Sequence, residues 1–130
     1  MIVKTMEKIV IDTNFLMAIS DLKIDVFEGI RNACNFKYQL YVLEGTLDEL
    51  ESFIKGSLLS KRQAASFAKK VLDTKAVKVL KIKSDKLVDN QLLALDGYIV
   101  ATVDRSLRQG LKKKGVKVLT IRQKKHVVIE

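Results

Sequence analysis

Four short β-branched runs recur along this chain, and stretches with helical spacing separate them. The runs are Ile9-Val10-Ile11, Val77-Lys78-Val79-Leu80, Tyr98-Ile99-Val100 and Val116-Lys117-Val118-Leu119. Between them Phe67, Val71 and Leu72, and later Leu107 and Leu111, fall on one helical face. Strands that alternate with helices require βα units, right-handed crossovers and a mostly parallel sheet covered on both faces. The spacing predicts strands over 8–12, 39–43, 77–82, 98–103 and 116–121, with a short last strand over 126–129. It predicts helices over 14–20, 24–35, 46–55, 60–74, 85–95 and 105–114. Asp96-Gly97 marks the turn into the fourth strand, and Gly115 ends the last helix. The 130 residues, 48% of them hydrophobic, suit one α/β domain with its core over about 8–121 and a basic tail over 122–130.

In a parallel α/β sheet, ligands bind beyond the carboxyl ends of the strands. The first strand ends there on Asp12, followed by Thr13 and Asn14, and the run through Thr102 and Val103 ends on Asp104. Glu49 and Asp89 fall near the starts of predicted helices that open at the same edge. Each acid also has an ordinary structural reading. Asp12 and Asp104 suit N-caps. Thr46-Leu47-Asp48-Glu49 matches a capping box. Asp89, one turn after Asp85, suits the first turns of a helix. Taken together, four carboxylates at one edge repel one another, and their pKa values rise unless a cation neutralises them. Cys34 and His126 are the only residues of their kinds, so a Cys/His zinc site lacks ligands and no disulfide forms within the chain. Oxygen donors select Mg²⁺ or Mn²⁺. Such a cation activates water and stabilises in-line phosphoryl displacement.

The net charge of +9 points to a polyanionic partner, with nucleic acid foremost. From Arg105 to Ile129 there is no acid but nine Lys or Arg. Arg105 and Arg108 follow Asp104 closely, and Arg122, Lys124 and Lys125 come later; all five are candidates for phosphate contacts. Tyr38, Tyr41 and Tyr98 lie on or beside strands and are expected to pack, so recognition by charge rather than by base is expected. Leu50, Phe53, Ile54, Leu58, Leu59 and Phe67 exceed what one sheet face needs. They predict an exposed patch that a homodimer would close. No apolar run approaches the ~18–20 residues of a membrane span, and no signal-peptide pattern opens the chain, so a cytoplasmic location is expected.

The ordered set now has a family likeness. Asp12-Thr13-Asn14 after an apolar strand, Glu49-Leu50 early in a helix, Asp89 in an Asp-x-x-Leu helix and Thr102-Val103-Asp104 after a strand resemble the PIN domain over about residues 8–121. The resemblance implies a three-layer sandwich around a central, mostly parallel five-stranded sheet, and a Mg²⁺- or Mn²⁺-dependent ribonuclease. It makes Asp12, Glu49, Asp89 and Asp104 the metal-binding catalytic acids, supported through hydrogen bonds by Thr13, Asn14 and Thr102. The segment from Tyr98 through Asp104 to Arg108, then Leu111 and Gly115 to Leu119, is similar to archaeal relatives of the PIN nucleases that process small-subunit ribosomal RNA. That similarity implies an endoribonuclease in ribosomal RNA processing, with a ribosome-assembly partner. Those relatives carry two adjacent Asp residues where this chain has Asp89-Asn90. One alternative is a toxin ribonuclease with an antitoxin partner. Glu44-Gly45 replaces a proline common in that group and argues against it. The other is a non-catalytic RNA-binding PIN scaffold, which Asn90 and the capping-box reading of Glu49 keep open. A receiver domain is disfavoured, because Asp12 has no acidic neighbour.

Overall fold

The computed structural model describes residues 6–82 and 86–130. Asp85 lies outside the described residues, so its pairing with Asp89 is not described either. The chain runs β1 (Glu7–Ile11), α1 (Thr13–Asp21), α2 (Val26–Ala33), β2 (Tyr38–Leu43), α3 (Glu44–Gly56), α4 (Leu59–Asp73) and β3 (Val77–Leu80). It continues as α5 (Val88–Ala94), β4 (Ile99–Ala101), α6 (Arg105–Lys113), β5 (Val118–Arg122) and β6 (His126–Ile129). The strand order is β3-β2-β1-β4-β5-β6. All neighbours are parallel except β5 and β6. The order departs from β1 in both directions, towards β2 on one side and β4 on the other. Such a switch point leaves a crevice at the carboxyl ends of the two diverging strands. Asp12 and Asp104 follow β1 and β4, so both emerge into it.

The sheet is buried on both faces, which is why its central strands read as continuous apolar runs. Side chains alternate along β1: Ile9 and Ile11 pack against α1 to α4, whereas Val10 packs against α5 and α6. The first layer contributes Phe15, Leu16, Val26, Ile30, Leu50, Ala65 and Ala68, and the second contributes Leu92, Leu107 and Leu111. This is a three-layer α/β sandwich with a mostly parallel sheet. Tyr41 and Tyr98 pack edge to face at 5.5 Å, as half-buried residues beside the second layer.

The sheet has six strands rather than five. The sixth forms because Val127 and Ile129 alternate toward the first layer and pack against its core. There α2 approaches so closely that a Cβ at Gly29 would clash with Val127 Cγ2. Residues 122–130, read as a basic tail, are therefore the turn and second arm of a hairpin. Arg122 pairs with His126, and Lys125 N–H donates to Arg122 O at 3.0 Å. Gln123 and Lys124 turn the corner at positive φ, 54° and 58°.

Two element boundaries matter for the site. Helix α3 starts at Glu44, not at 46, and Thr46 is fully buried inside it. Strand β4 stops at Ala101; the Thr102 N–H still donates to Leu119 O at 2.9 Å, while its hydroxyl turns to Asp12 at the crevice. In the α3–α4 hairpin Leu50 is buried and Phe53 and Ile54 pack against the core, while Leu58, Leu59 and Phe67 remain exposed. Among the described residues no helix is long and apolar enough to cross a membrane.

Candidate active site

Asp12, Glu49, Asp89 and Asp104 line one cleft of about 480 Å³ at the carboxyl edge of the sheet. Four separate elements bring them there. Asp12 is the N-cap of α1, and its Oδ1 accepts from the Thr13 N–H at 2.8 Å. Asp104 is the N-cap of α6, and its Oδ1 accepts from the Leu107 N–H at 2.8 Å. Capping and cleft lining coexist because a capped helix end points its first turn at the strand edge. Asp89 is the second residue of α5 and lies exposed at the rim.

Glu49 makes no capping box. The cap position of α3 is Leu43, with no side-chain bond to the helix end. Instead Glu49, in the second turn, accepts at Oε1 from the Thr13 hydroxyl at 2.9 Å, and Thr46 Oγ1 stands 3.3 Å from that same hydroxyl. A bond across 36 residues thus fixes the carboxylate that local pattern would have assigned to its own helix.

Thr102 is fully buried and joins two of the acids. Its buried hydroxyl donates to Asp12 Oδ2 at 2.7 Å and accepts from the Asp104 N–H at 3.1 Å. Asn14 Oδ1 accepts from the Val103 N–H at 3.2 Å, which ties the start of α1 to the end of β4. Asp12 N–H closes the join on Ala101 O at 2.8 Å. Two acids from distant strands are thereby held through one hydroxyl and one amide.

The electrostatics are those of an acid cluster short of positive charge. Asp12 is 3% exposed, and burial pushes its carboxyl up to about 6. The Thr102 and Thr13 hydrogen bonds pull it back down, while the charges of Asp89 and Glu49 push it further up. Asp89 is raised as well, by desolvation and then by Asp104. Among the described residues no three His, Cys, Asp or Glu are already gathered as a closed metal cage. The donor set nevertheless fits a hard divalent cation: it is all oxygen, it is mutually repulsive, and burial disfavours the bare charge of its most buried member.

Other side chains complete the cleft. Met17, Asp21, Phe53, Ser60 and Lys61 line it too. Lys61 Nζ sits 4.1 Å from the centre of the Phe53 ring. Sequence gives no hint of Ser60 or Lys61, because only the fold-back of α4 on α3 brings them to the acids. Arg105 is exposed as the first residue of α6, next to Asp104. Lys124 and Lys125 are exposed in the β5–β6 hairpin. Arg108 and Arg122 are otherwise engaged. With Lys112 they converge on Glu130, at 3.5 Å for Arg108, 2.7 Å for Lys112 and 3.1 Å for Arg122 Nε. The hydrogen bonds from Lys112 and Arg122 hold the Glu130 carboxyl down to about 2.

The pattern of the PIN-like domain family matches residues 9–124. Ribonuclease VapC4 of Methanocaldococcus jannaschii is 32% identical over 127 residues, which is 95% of this chain and 97% of that protein. The solved structure of the PIN domain endonuclease Utp24 is similar with a TM-score of 0.74 at 25% identity, over 95% of this chain and 90% of that one.

Proposed function

The chain belongs to the PIN-like domain family, and from that premise we propose that it is a Mg²⁺- or Mn²⁺-dependent endoribonuclease acting in the cytoplasm. The observation that carries this reading is the meeting of Asp12, Glu49, Asp89 and Asp104 in one cleft. The similarity to a ribonuclease and to an endonuclease supports the substrate and the mode of cutting.

A divalent cation held there would supply Lewis acidity, lowering the pKa of water and offsetting phosphate charge. Asp12, Asp89 and Asp104 would hold it, with Glu49 as a further ligand or as acceptor for the attacking water. Thr13 fixes Glu49, and Thr102 fixes Asp12 while accepting from the Asp104 N–H. Arg105, Lys124 and Lys125, exposed at or near the cleft, would meet RNA phosphates. Arg108 and Arg122 are proposed to add to the same positive field from their place around Glu130.

We place the substrate among small-subunit ribosomal RNA precursors, on the likeness of the stretch from Tyr98 to Leu119, with a ribosome-assembly partner. The test is cleavage of such a precursor in Mg²⁺, in Mn²⁺ and in chelator. Internal cuts that need a divalent cation support the reading. Binding without cuts in either cation overturns it in favour of the scaffold. Growth arrest on expression, relieved by Asp12→Asn, would move the protein to the toxin ribonucleases with an antitoxin partner.

The same assay carries a pH prediction. The folded pKa of Asp12 is raised, from 3.8 to about 6. In the metal-free protein its contribution to stability is therefore full below 3.8 and is lost as pH rises through 6. A cation needs the ionised carboxylate, so protons compete with it. Mn²⁺ should raise the melting temperature above pH 6 and lose that effect below it. Its affinity should fall by about tenfold per pH unit on the acid side. A cation-induced shift that is equal at pH 5 and pH 7.5 would remove Asp12 from the ligand set.

We also propose that two copies associate through the α3–α4 hairpin. Leu58 is 85% exposed, Leu59 59% and Phe67 50%, an apolar group too prominent for a lone surface. Sedimentation at tens of micromolar should show a dimer, and Phe67→Glu should return it to monomer. A wild-type monomer would refute the association.

A further inference from the structure

A second groove, of about 280 Å³, lies beside the acid cleft between α1 and the β5–β6 hairpin. Asn14, Met17 and Asp21 line both cavities, so the two share a wall. The rest of the groove is apolar, with Ala18, Leu22, Val103 and Ile121 on its sides, and Lys124 is the cation that lines it. The sharing has a simple cause at the end of β4. Extended backbone sends successive side chains to opposite sides, and there Asp104 lines the cleft while Val103 lines the groove.

This lysine also occupies a costly conformation. Gln123 and Lys124 both hold positive φ in the three-residue connection 123–125, where Gly or Asn would be the easy choice. Strain of this kind is kept where a side chain is needed in place.

We propose that the groove takes one unstacked nucleobase of a single-stranded RNA, from a nucleotide flanking the phosphate at the acid cleft, with Lys124 on a phosphate of the same strand. This rests on the nuclease reading and names the form of the substrate at the cut. Apolar walls suit the faces of a base and repel a phosphate, so the polar backbone stays at the open side with Lys124. Asn14 and Asp21 offer polar groups at the rim to the edge of the base. Proteins recognise single-stranded RNA in this way, by sheltering splayed bases while cations follow the backbone. A paired segment cannot reach the groove without opening.

The experiment maps wild-type cleavage of a short homopolymeric RNA that carries one abasic residue at a known position, with Mn²⁺ present. The groove predicts about tenfold slower cutting at a single bond, at a fixed offset from the abasic residue, with other bonds cut evenly. Leu22→Trp, which fills the groove, should cut evenly across the abasic strand. Lys124→Gly should melt at a higher temperature and bind the strand more weakly, whereas a merely structural turn residue would give the first effect without the second. Even cutting by the wild type at every bond would overturn the groove and leave the nuclease reading standing. No cutting of the intact strand with any divalent cation would overturn both.

Discussion

Asp12→Asn should lower RNA cleavage by about a thousandfold or more and leave strand binding equal or tighter. The size follows from losing a ligand to a cation that supplies several kcal/mol of transition-state charge stabilisation, at about 1.4 kcal/mol per decade of rate. The sign on binding follows from removing a negative charge that faces phosphate. Stability should move the other way from activity. Asp12 is almost wholly buried, its carboxyl is pushed up to about 6, and Asp89 and Glu49 repel it when it is ionised. A neutral side chain of the same shape removes that repulsion, so the metal-free variant should melt at or above the wild-type temperature near pH 7.5. Single-turnover cleavage, anisotropy with labelled RNA and a melt in chelator separate the three effects. Loss of RNA binding in a fully folded Asp12→Asn protein would mean that the strand does not pass the acid cleft.

Thr102→Val should carry the second largest effect. Thr102 touches no solvent, and its hydroxyl joins Asp12 Oδ2 to the Asp104 N–H. Val keeps the shape and deletes the join. Hydrogen-bond partners of this kind orient ligands, and their loss costs about 10–100-fold in metal affinity or activity. The half-saturating Mn²⁺ concentration should rise accordingly while RNA affinity is unchanged. Leaving a buried carboxylate oxygen and an amide unpaired should also cost about 1–3 kcal/mol of stability. Thr102→Ser restores the hydroxyl and should restore the metal titration. An unchanged titration in Thr102→Val would reduce Thr102 to a packing residue.

The strands and the order of the four acids were legible because each is written locally. Ile9-Val10-Ile11 is a buried strand by composition, and Asp12 ends it; Thr102-Val103-Asp104 repeats the pattern. Glu49 was only half legible. Its spacing from Thr46 reads as a cap, and nothing local reveals that Thr13, the first residue of α1, takes its carboxylate instead. Ser60 and Lys61 were invisible, since their place in the cleft depends on how α4 rotates against α3. The basic stretch was legible as charge but not as contacts. The β5–β6 hairpin brings Glu130 back beside Arg108, Lys112 and Arg122, which takes two arginines out of the set of free phosphate ligands.

The tie between Thr102 and Asp12 spans 90 residues of chain, and Thr13 reaches Glu49 across 36. Contacts of such separation are slow to close, because the intervening loop must be ordered before any bond rewards it. The site thus cannot be complete until β4 has been made and paired with β1. While the chain is being synthesised, α1 to α4 can pack against β1 and β2 long before β4 leaves the ribosome. Until β4 inserts beside β1, Asp12 has no hydroxyl partner and Asp104 is not yet present. A growing chain, or one opened at β4, therefore lacks the complete acid set, and any RNA-cutting activity is confined to molecules that have finished folding.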